Sequence, residues 1–261
     1  MSRVVSILVV IWTAGAPLMA LAQGSAPSAS VVCDDAAENE VFAGDYYLAR
    51  WQYQDAVDHY DCALQTEPDN PIAYFGRGRA RYYLHQYSDA LADLSRAIEL
   101  DASYAAAYHY RALTHYRLNG VEASLPDYTR AIELNPDEAN YHVGRGTSYW
   151  VLWDYDSALA DYNAAIALDP SNQFAYYSRG VLYRTLGEFY LAAADYKQAI
   201  ALNPNYTDAY LALGNLYYTD LHLDSDALQA YERYLELAGD SAEADIVARV
   251  GQLRDELAAN P

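Results

Sequence analysis

Small and apolar residues recur along most of the chain at the three- and four-residue spacing of one helix face. The stretch from residue 176 to residue 200, YYSRGVLYRTLGEFYLAAADYKQAI, predicts two amphipathic helices joined at Leu186-Gly187. Two charged residues, Arg179 and Asp195, nevertheless fall on the inner faces of these helices, where apolar residues are expected. The pattern therefore predicts a helical hairpin that carries one charge on each inner face.

The hairpin pattern returns every 34 residues, and four sets of residues keep this interval. Glycine and alanine let two antiparallel helices approach closely, and proline ends the second helix of each pair. Ala102 replaces one proline and Ala112 replaces one glycine. The four sets are Pro68, Pro136, Pro170 and Pro204; Gly44, Gly78, Gly146, Gly180 and Gly214; Ala56, Ala90, Ala158 and Ala192; and Ala63, Ala97, Ala131, Ala165 and Ala199.

If the prolines occupy the thirty-second place, the chain divides into six repeats over residues 37–240. They begin at Ala37, Pro71, Ala105, Ala139, Gln173 and Thr207, and "place" below means a position within one repeat. The sixth repeat has one extra residue, which we expect in the loop between its helices. The third repeat has Ser124 in place of an alanine and then Pro126, where a helix would lose a hydrogen bond.

Residues 241–261 follow the repeats and predict one more helix. Their apolar residues form a single stripe at helical spacing, made of Ile246, Val250, Leu253 and Leu257. A helix with one apolar stripe suits the end of a stack, because it covers an apolar face that would otherwise be exposed. We therefore expect a capping helix over 241–261.

The period and its four residue sets resemble the tetratricopeptide repeat family, over residues 37 to about 240. The resemblance implies an all-α fold, an α-solenoid of antiparallel helix-turn-helix repeats. It also implies a protein- or peptide-binding scaffold, although such repeats serve many unrelated partners. The family's best-known groove clamps a terminal carboxylate with Lys at the fifth place and Asn at the ninth. That specificity is not expected here, because the fifth place holds Val41, Phe75, His109, Val143, Tyr177 and Leu211.

Arginine at the seventh place and aspartate at the twenty-third occur together in the four middle repeats. These structural ion pairs are Arg77 and Asp93, Arg111 and Asp127, Arg145 and Asp161, and Arg179 and Asp195. The first repeat holds Ala43 and His59 instead, and the sixth holds Leu213 and Ala230. A lone buried charge is costly, so we expect contact between the two.

The pairing has two possible directions, within a repeat or from each aspartate to the arginine of the next repeat. We prefer pairing within the repeat, because it leaves no charge without a partner. A ladder of arginines that recognises an anionic ligand is the functional alternative. It is disfavoured because each arginine has its own carboxylate sixteen residues further on.

The N-terminus, MSRVVSILVVIWTAGAPLMALAQ, has the pattern of a secretory signal peptide. Arg3 precedes an apolar core, and Ala20-Leu21-Ala22 is a small-x-small cleavage site. We expect a signal peptide over 1–22, a linker over 23–36, and export to the periplasm or the extracellular space. The alternative is an uncleaved membrane anchor, but the apolar run is shorter than the ~20 residues that span a bilayer. We expect no membrane insertion after cleavage.

The two cysteines, Cys33 and Cys62, flank the first predicted hairpin. An antiparallel hairpin brings the start of its first helix beside the end of its second. In an oxidising compartment a disulfide would form between them and stabilise the hairpin by roughly 3 kcal/mol. The alternative is two unrelated thiols.

Charge and motifs exclude several functions. The net charge is −20, with 36 acidic residues against 16 Lys and Arg, which would repel nucleic acid and anionic lipid. The usual enzyme signatures are absent from the sequence, so we expect no catalytic residue, cofactor or metal. His115 and His142 occupy places where other repeats have tyrosine, and we interpret them as packing residues. Thirteen of the 28 tyrosines fall on the fourth, eleventh and twenty-fourth places, where we expect the core.

The family resemblance places five positions of each first helix on the concave side of the repeats, the second, fifth, ninth, twelfth and thirteenth. We expect a partner-binding groove there, because Tyr, Trp and Arg dominate binding hot spots. The alternative is that several of these rings pack against the next repeat. The candidate residues are Phe75, Arg79, Tyr82, Tyr83, His109, Tyr116, Arg117, Trp150, Phe174, Tyr177, Arg184 and Tyr218.

Together these features predict an exported, non-catalytic adaptor that binds a protein or peptide partner. The competing prediction is a structural subunit of an envelope or secretion assembly complex. The two predictions differ in how permanently the protein is bound. A subunit co-purifies with its complex in fixed ratio through high salt, whereas an adaptor releases its client.

Overall fold

A computed structural model describes Cys33, residues 36–118 and residues 120–259 of the chain. The predicted signal peptide over 1–22 and most of the linker over 23–36 lie outside these residues. The described residues form thirteen α-helices and no strand, and consecutive helices pack in antiparallel pairs. This is the all-α, helix-turn-helix solenoid class that the sequence predicts. The chain divides into two compact units, before and after the step from Ala102 to Ser103.

The first unit contains two helical hairpins. They consist of α1 (Ala37–Leu48), α2 (Tyr53–Thr66), α3 (Pro71–Tyr83) and α4 (Tyr87–Leu100). Asn70 caps α3, because its side-chain oxygen accepts hydrogen bonds from the backbone N–H groups of Ile72 and Ala73. Pro71 is the first residue of that helix, where its missing N–H costs nothing. Pro68 lies two residues after α2 ends, so it stands beyond the helix rather than inside it.

The second unit contains the other nine helices. They are α5 (Ala105–Leu118), α6 (Leu125–Leu134), α7 (Ala139–Val151), α8 (Tyr155–Leu168), α9 (Gln173–Thr185), α10 (Phe189–Leu202), α11 (Thr207–Asn215), α12 (Asp224–Ala238) and α13 (Ala244–Ala259). From α5 to α12, each helix packs against the next one in sequence. The first helix of every repeat, in both units, begins at the residue where the 34-residue period starts that repeat.

Two repeats depart from the regular hairpin. In the third, a 3-10 turn over Glu122–Ser124 precedes α6, so Pro126 lies in the first turn of a shortened helix and breaks no hydrogen bond. Ser124 is buried, and its hydroxyl lies 2.8 Å from that of Ser148. In the sixth, the extra residue enlarges the end of the first helix into a π-helical turn over Leu216–Leu221. Our expectation that this residue would lengthen the loop is therefore wrong.

The core of five of the six hairpins is built around a buried tyrosine ring at the twenty-fourth place, and Leu94 takes this place in the second repeat. Five such tyrosines are almost wholly buried: Tyr60, Tyr128, Tyr162, Tyr196 and Tyr231. The Tyr196 ring lies against Gly180, where an added Cβ would come within 2.8 Å of it. Tyr128 approaches Gly144 of the next repeat still more closely, at 2.4 Å from such a Cβ. Glycine is needed at these contacts because the ring occupies the space of a side chain.

The tyrosines at the fourth and eleventh places are less buried than we predicted. With the exception of Tyr217 they are only half-buried. In the second, third and fifth repeats they border the arginine of the seventh place. The Arg179 guanidinium lies 5.7 Å from the Tyr176 ring centroid and 5.6 Å from that of Tyr183. These rings therefore form an aromatic border around a charge rather than an apolar core.

Both ends of the described chain carry a stabilising feature. A disulfide joins Cys33 to Cys62, with their Cα atoms 5.1 Å apart, and confirms the predicted pairing. At the other end, α13 packs on α12 and buries Ile246, Val250 and Leu253. Leu257, the fourth residue of the predicted stripe, is half-buried.

Candidate functional site

Every seventh-place arginine of the middle repeats donates two parallel hydrogen bonds to the aspartate sixteen residues later in its own repeat. The Nε and Nη2 atoms of Arg77, Arg111, Arg145 and Arg179 lie 2.6–2.9 Å from the carboxylate oxygens of Asp93, Asp127, Asp161 and Asp195. All four aspartates are at most 6% exposed. Bidentate geometry of this kind is the strongest arrangement available to an arginine and a carboxylate.

The remaining arginine nitrogen reaches back to the preceding repeat. Nη1 of Arg179 donates to Asn163 at 2.6 Å, Nη1 of Arg145 lies 3.5 Å from Thr129, and Nη1 of Arg77 binds Asp61. These three acceptors all occupy the twenty-fifth place. The arginine thus connects its own hairpin to the one before it, and the hydrogen bond to Asp195 raises the pKa of Arg179 against the opposing effect of burial. With the donors engaged inside the protein, the ladder is not free to bind an anion.

Histidines supplement this polar layer. His142 Nδ1 lies 3.1 Å from Asp161, and His115 Nε2 lies 3.8 Å from Asp127. In the first repeat a different polar pair is found, since His59 occupies the aspartate's place and its Nδ1 atom lies 2.6 Å from the Glu40 carboxylate. Burial lowers the pKa of His115, although the Asp127 carboxylate opposes the shift. The interpretation of His115 and His142 as packing residues therefore omitted their contacts with carboxylates.

In the first unit, the predicted groove residues are only partly accessible. Tyr82 is 2% exposed and packs edge-on against Tyr83, so its assignment to a binding groove is wrong. Tyr83 stacks on Tyr53 with ring centroids 4.9 Å apart. Phe75 and Arg79 are half-buried. The physical reason is that rings of its own hairpin, Tyr83 and Tyr87, pack against Tyr82.

In the second unit, three predicted groove residues pack against other rings. The His109 ring lies 4.9 Å from that of Tyr141, and its Nδ1 atom has no hydrogen-bond partner among the described residues. Burial lowers the pKa of His109 to about 4. The Tyr177 ring lies 5.2 Å from that of Tyr206, and Phe174 contacts the same ring at 5.5 Å. Burial also raises the pKa of Tyr177. These three side chains therefore contribute mainly to internal packing, His109 between two repeats and Phe174 and Tyr177 within the fifth.

The twelfth place provides a row of half-buried side chains on four successive repeats of the second unit, namely Tyr116, Trp150, Arg184 and Tyr218. Three of them are held by neighbouring residues. Trp150 Nε1 donates to Thr185 at 3.2 Å, and Arg184 Nε donates to Asp220 at 2.6 Å. The Arg249 guanidinium lies 4.8 Å from the Tyr218 ring centroid. Arg117, which follows Tyr116, is exposed. We call Tyr116, Trp150, Arg184 and Tyr218 the twelfth-place row.

The turns between paired helices contain residues that our sequence reasoning missed. Trp51, His85, Trp153 and His222 have left-handed backbones with φ between 53° and 66°. Gly187 occupies the same turn position in the fifth repeat, with φ 80°. A bulky residue in this conformation costs roughly 1 kcal/mol, which glycine avoids. The sequence did contain a signal for these turns. In the triplets WQY, HQY and WDY, ring-bearing residues at the fifteenth and seventeenth places flank a polar residue.

The part of the chain that the structure describes shows neither a metal site nor a membrane-spanning helix. No group of three or more His, Cys, Asp or Glu side chains there is arranged to hold a metal ion. None of the thirteen helices is both long enough and apolar enough to cross a membrane.

Stacked hairpins with a shared period and shared contacts define a helical repeat protein. Three family models match the chain, described as tetratricopeptide repeat over residues 111–173 and 174–206 and as TPR repeat over 78–119. The repeats over residues 78–206 are tetratricopeptide repeats. A comparison with curated proteins finds no significant match.

Solved structures share this fold at low sequence identity. A chain of the APC/C hetero-tetramer Cut9-Hcn1 aligns with a TM-score of 0.74 at 15% identity, over 84% of this chain and 42% of that one. PilW, a type IV pilus biogenesis factor, aligns with a TM-score of 0.72 at 16% identity, over 81% and 97%. YrrB, a TPR protein with an unusual peptide-binding site, aligns with a TM-score of 0.53 at 18% identity, over 74% and 97%. The chain thus spans less than half the length of the Cut9-Hcn1 chain that it matches.

Proposed function

We propose that this protein is a non-catalytic scaffold that binds a segment of a protein partner through the twelfth-place row of its second unit. The observation that carries the proposal is the restraint of that row, by the bond from Trp150 to Thr185, the ion pair of Arg184 with Asp220, and the stacking of Arg249 on Tyr218. Side chains restrained before binding lose less conformational entropy when a partner docks. Trp, Tyr and Arg are also the residue types that contribute most at protein interfaces.

Not every predicted groove residue is suitable for testing the proposal. Tyr177 packs against Tyr196 and Tyr206, so its replacement would disturb folding as well as binding. Tyr116→Leu together with Trp150→Leu removes two rings of the row and keeps apolar volume. We expect the free energy of unfolding to change by less than about 1.5 kcal/mol. Capture of the partner should weaken at least tenfold, about 1.4 kcal/mol of binding.

The measurement is capture of partners from the native envelope fraction, with quantitative mass spectrometry of what the wild type retains and the variant loses. Tyr176→Leu is the matched control, because this half-buried tyrosine lies at the fourth place, away from the row. A variant that folds and still captures every partner at wild-type strength would exclude the row as the binding surface. Co-purification in fixed ratio through high salt would favour the alternative, a permanent subunit of an envelope or secretion assembly complex.

We further propose that the protein is exported and works in the periplasm or outside the cell. The disulfide between Cys33 and Cys62 supports this location, because such bonds persist in oxidising compartments. The N-terminal sequence has the pattern of a secretory signal. N-terminal sequencing of the protein from its native source, expected to begin at Gln23, tests both the export and the cleavage site.

A further inference from the structure

Exposed apolar side chains gather at the helix-helix turns of the fourth, fifth and sixth repeats. Trp153 and Tyr190 are each 79% exposed, and Leu186, Leu191 and Leu223 are 40–49% exposed. We call these five residues the turn edge. Single exposed apolar residues are normal on a protein surface, but a contiguous set marks an interaction site.

Two contacts show that these turns lie side by side. Trp150 is three residues before Trp153, and its indole binds Thr185, which directly precedes Leu186. Arg184 in turn binds Asp220, three residues before Leu223. The three turns are therefore neighbours, and their exposed side chains lie along one edge of the second unit. The twelfth-place row lies deeper in the same repeats and shares no residue with the turn edge.

The fold itself does not require Trp153 at its turn. Its backbone is left-handed, with φ 66°, and the equivalent residue of the next repeat is Gly187. An indole that is 79% exposed gains little from packing within the chain. A strained backbone and an exposed ring together favour a role in contact with another molecule.

The charges around the turn edge select the kind of partner. Asp154, Asp156, Glu188, Asp224 and Asp226 are all exposed and form no ion pair with another described residue. The segments 152–157, 185–191 and 219–226 contain no Lys or Arg. Carboxylates beside an exposed tryptophan attract cations, both directly and through the face of the ring. An anionic lipid surface would be repelled by the same carboxylates.

We propose that the turn edge binds a basic amphipathic segment of another protein, whose apolar side chains cover Trp153, Leu186 and Tyr190 while its Lys and Arg residues meet the surrounding carboxylates. This inference does not depend on the twelfth-place row. The protein then has two separate interaction surfaces, one within the repeats and one on their turns.

A designed peptide tests the inference directly. The probe is a dye-labelled amphipathic peptide of about 18 residues made of lysine and leucine, titrated into the full chain at about 0.15 M salt. We expect saturable binding by fluorescence anisotropy, and none for the same peptide with glutamate in place of lysine. Trp153→Gly together with Tyr190→Ser should weaken binding at least tenfold, with a melting temperature close to that of the wild type.

Matched controls separate the turn edge from general attraction to an acidic protein. Phe42→Ser with Val247→Ser removes two exposed apolar side chains elsewhere, and binding should stay unchanged. Asp154→Asn with Glu188→Gln should weaken peptide binding more than Glu38→Gln with Asp240→Asn. The second pair removes the same number of negative charges from residues outside the turn edge. Tyr116→Leu, at a residue of the row that makes neither of the two contacts between the turns, should leave peptide binding intact even if it weakens partner capture.

Three results would overturn the inference. The first is that the lysine peptide shows no saturable binding up to about 1 mM. The second is that the edge variants and the control variants weaken peptide binding equally. The third is that the turn edge binds phosphatidylcholine or phosphatidylglycerol vesicles in preference to the peptide. The last result would make the edge a membrane contact instead.

Discussion

The first and fifth hairpins have the same fold but hold their helices together by different contacts. In the fifth, Arg179 of α9 makes a bidentate ion pair with Asp195 of α10. In the first, Ala43 takes the arginine's place, His59 of α2 contacts Glu40 of α1, and a disulfide joins Cys33 to Cys62. The Nη1 atom of Arg179 also binds Asn163 in the preceding repeat, whereas no described repeat precedes the first. Arg179 therefore serves two hairpins at once, its own and the preceding one, and the first hairpin has no such contact to make.

The sixth hairpin holds its two helices together by a third set of contacts. Leu213 and Ala230 replace the ion pair with apolar packing, and both are buried. Arg249 from α13 then supplies a cation from the other side, with its Nη1 atom 3.1 Å from the Tyr231 hydroxyl. Internal repeats thus use charges that bridge two neighbours, while terminal repeats use a covalent bond or an added helix.

Removal of the arginine from an internal hairpin should have the largest effect. Arg179→Leu leaves Asp195 buried and without its cation, and we expect the free energy of unfolding to fall by about 3–5 kcal/mol in urea denaturation. Adding Asp195→Leu should restore most of the loss, because the uncompensated charge is then gone. A double variant no more stable than the single one would contradict this account. Arg145→Leu should cost less, because His142 remains beside Asp161.

Removal of the disulfide should act on the first hairpin alone. We expect Cys33→Ser with Cys62→Ser to lower the stability of that hairpin by about 3 kcal/mol, since the bond closes a loop of 29 residues. Hydrogen exchange should speed up in α1 and α2 and stay unchanged in α9 and α10, because repeats interact with their neighbours only. A reductant should reproduce the effect in the wild type and have none on the variant. Equal acceleration throughout the chain would show that the hairpins do not open separately.

Acid should destabilise the third repeat through His109, which has no carboxylate partner of the kind that His59 has in the first. Its pKa of about 4 in the folded protein lies below the usual 6.5. Between these values the unfolded chain binds more protons, so the free energy of unfolding falls as the pH falls from 6.5 towards 4. We expect a loss of about 2 kcal/mol, measured by urea denaturation across this range.

The control for this prediction is His109→Phe, which keeps an aromatic ring and removes the titrating group. The variant should lose less stability than the wild type between pH 6.5 and pH 4. An identical pH profile for the two proteins would show that His109 does not titrate in this range.

The polar contact of the first hairpin should be worth the least. Glu40→Gln keeps an acceptor for the His59 ring and removes only the charge, so we expect a loss of about 1 kcal/mol. Thermal denaturation at neutral pH measures it, with Glu38→Gln as the control for an exposed glutamate of the same helix. A loss as large as that of Arg179→Leu would remove the distinction between internal and terminal hairpins.

Some of these features could be predicted from the sequence and others could not. The pairing of Cys33 with Cys62 followed from the hairpin, because antiparallel helices bring those ends together. The groove was harder to predict, because the accessibility of Tyr82 and Tyr177 depends on rings that pack against them, such as Tyr83 and Tyr206. The turn edge had a visible signal in the WDY triplet, but its exposure depends on how far Trp153 stands clear of its neighbours.

The sequence by itself determined the class of fold, the starts of the helices and the residues that carry charge into the hairpins. It could do so because these properties repeat every 34 residues, and each repeat is an independent example of the same local rule. Tertiary contacts decided where the third nitrogen of Arg77, Arg145 and Arg179 binds and which aromatic rings remain exposed. They also placed the extra residue of the sixth repeat in a π-helical turn rather than in the loop. Those outcomes depend on contacts between helices far apart in sequence, where one side chain occupies the space or supplies the partner that another requires.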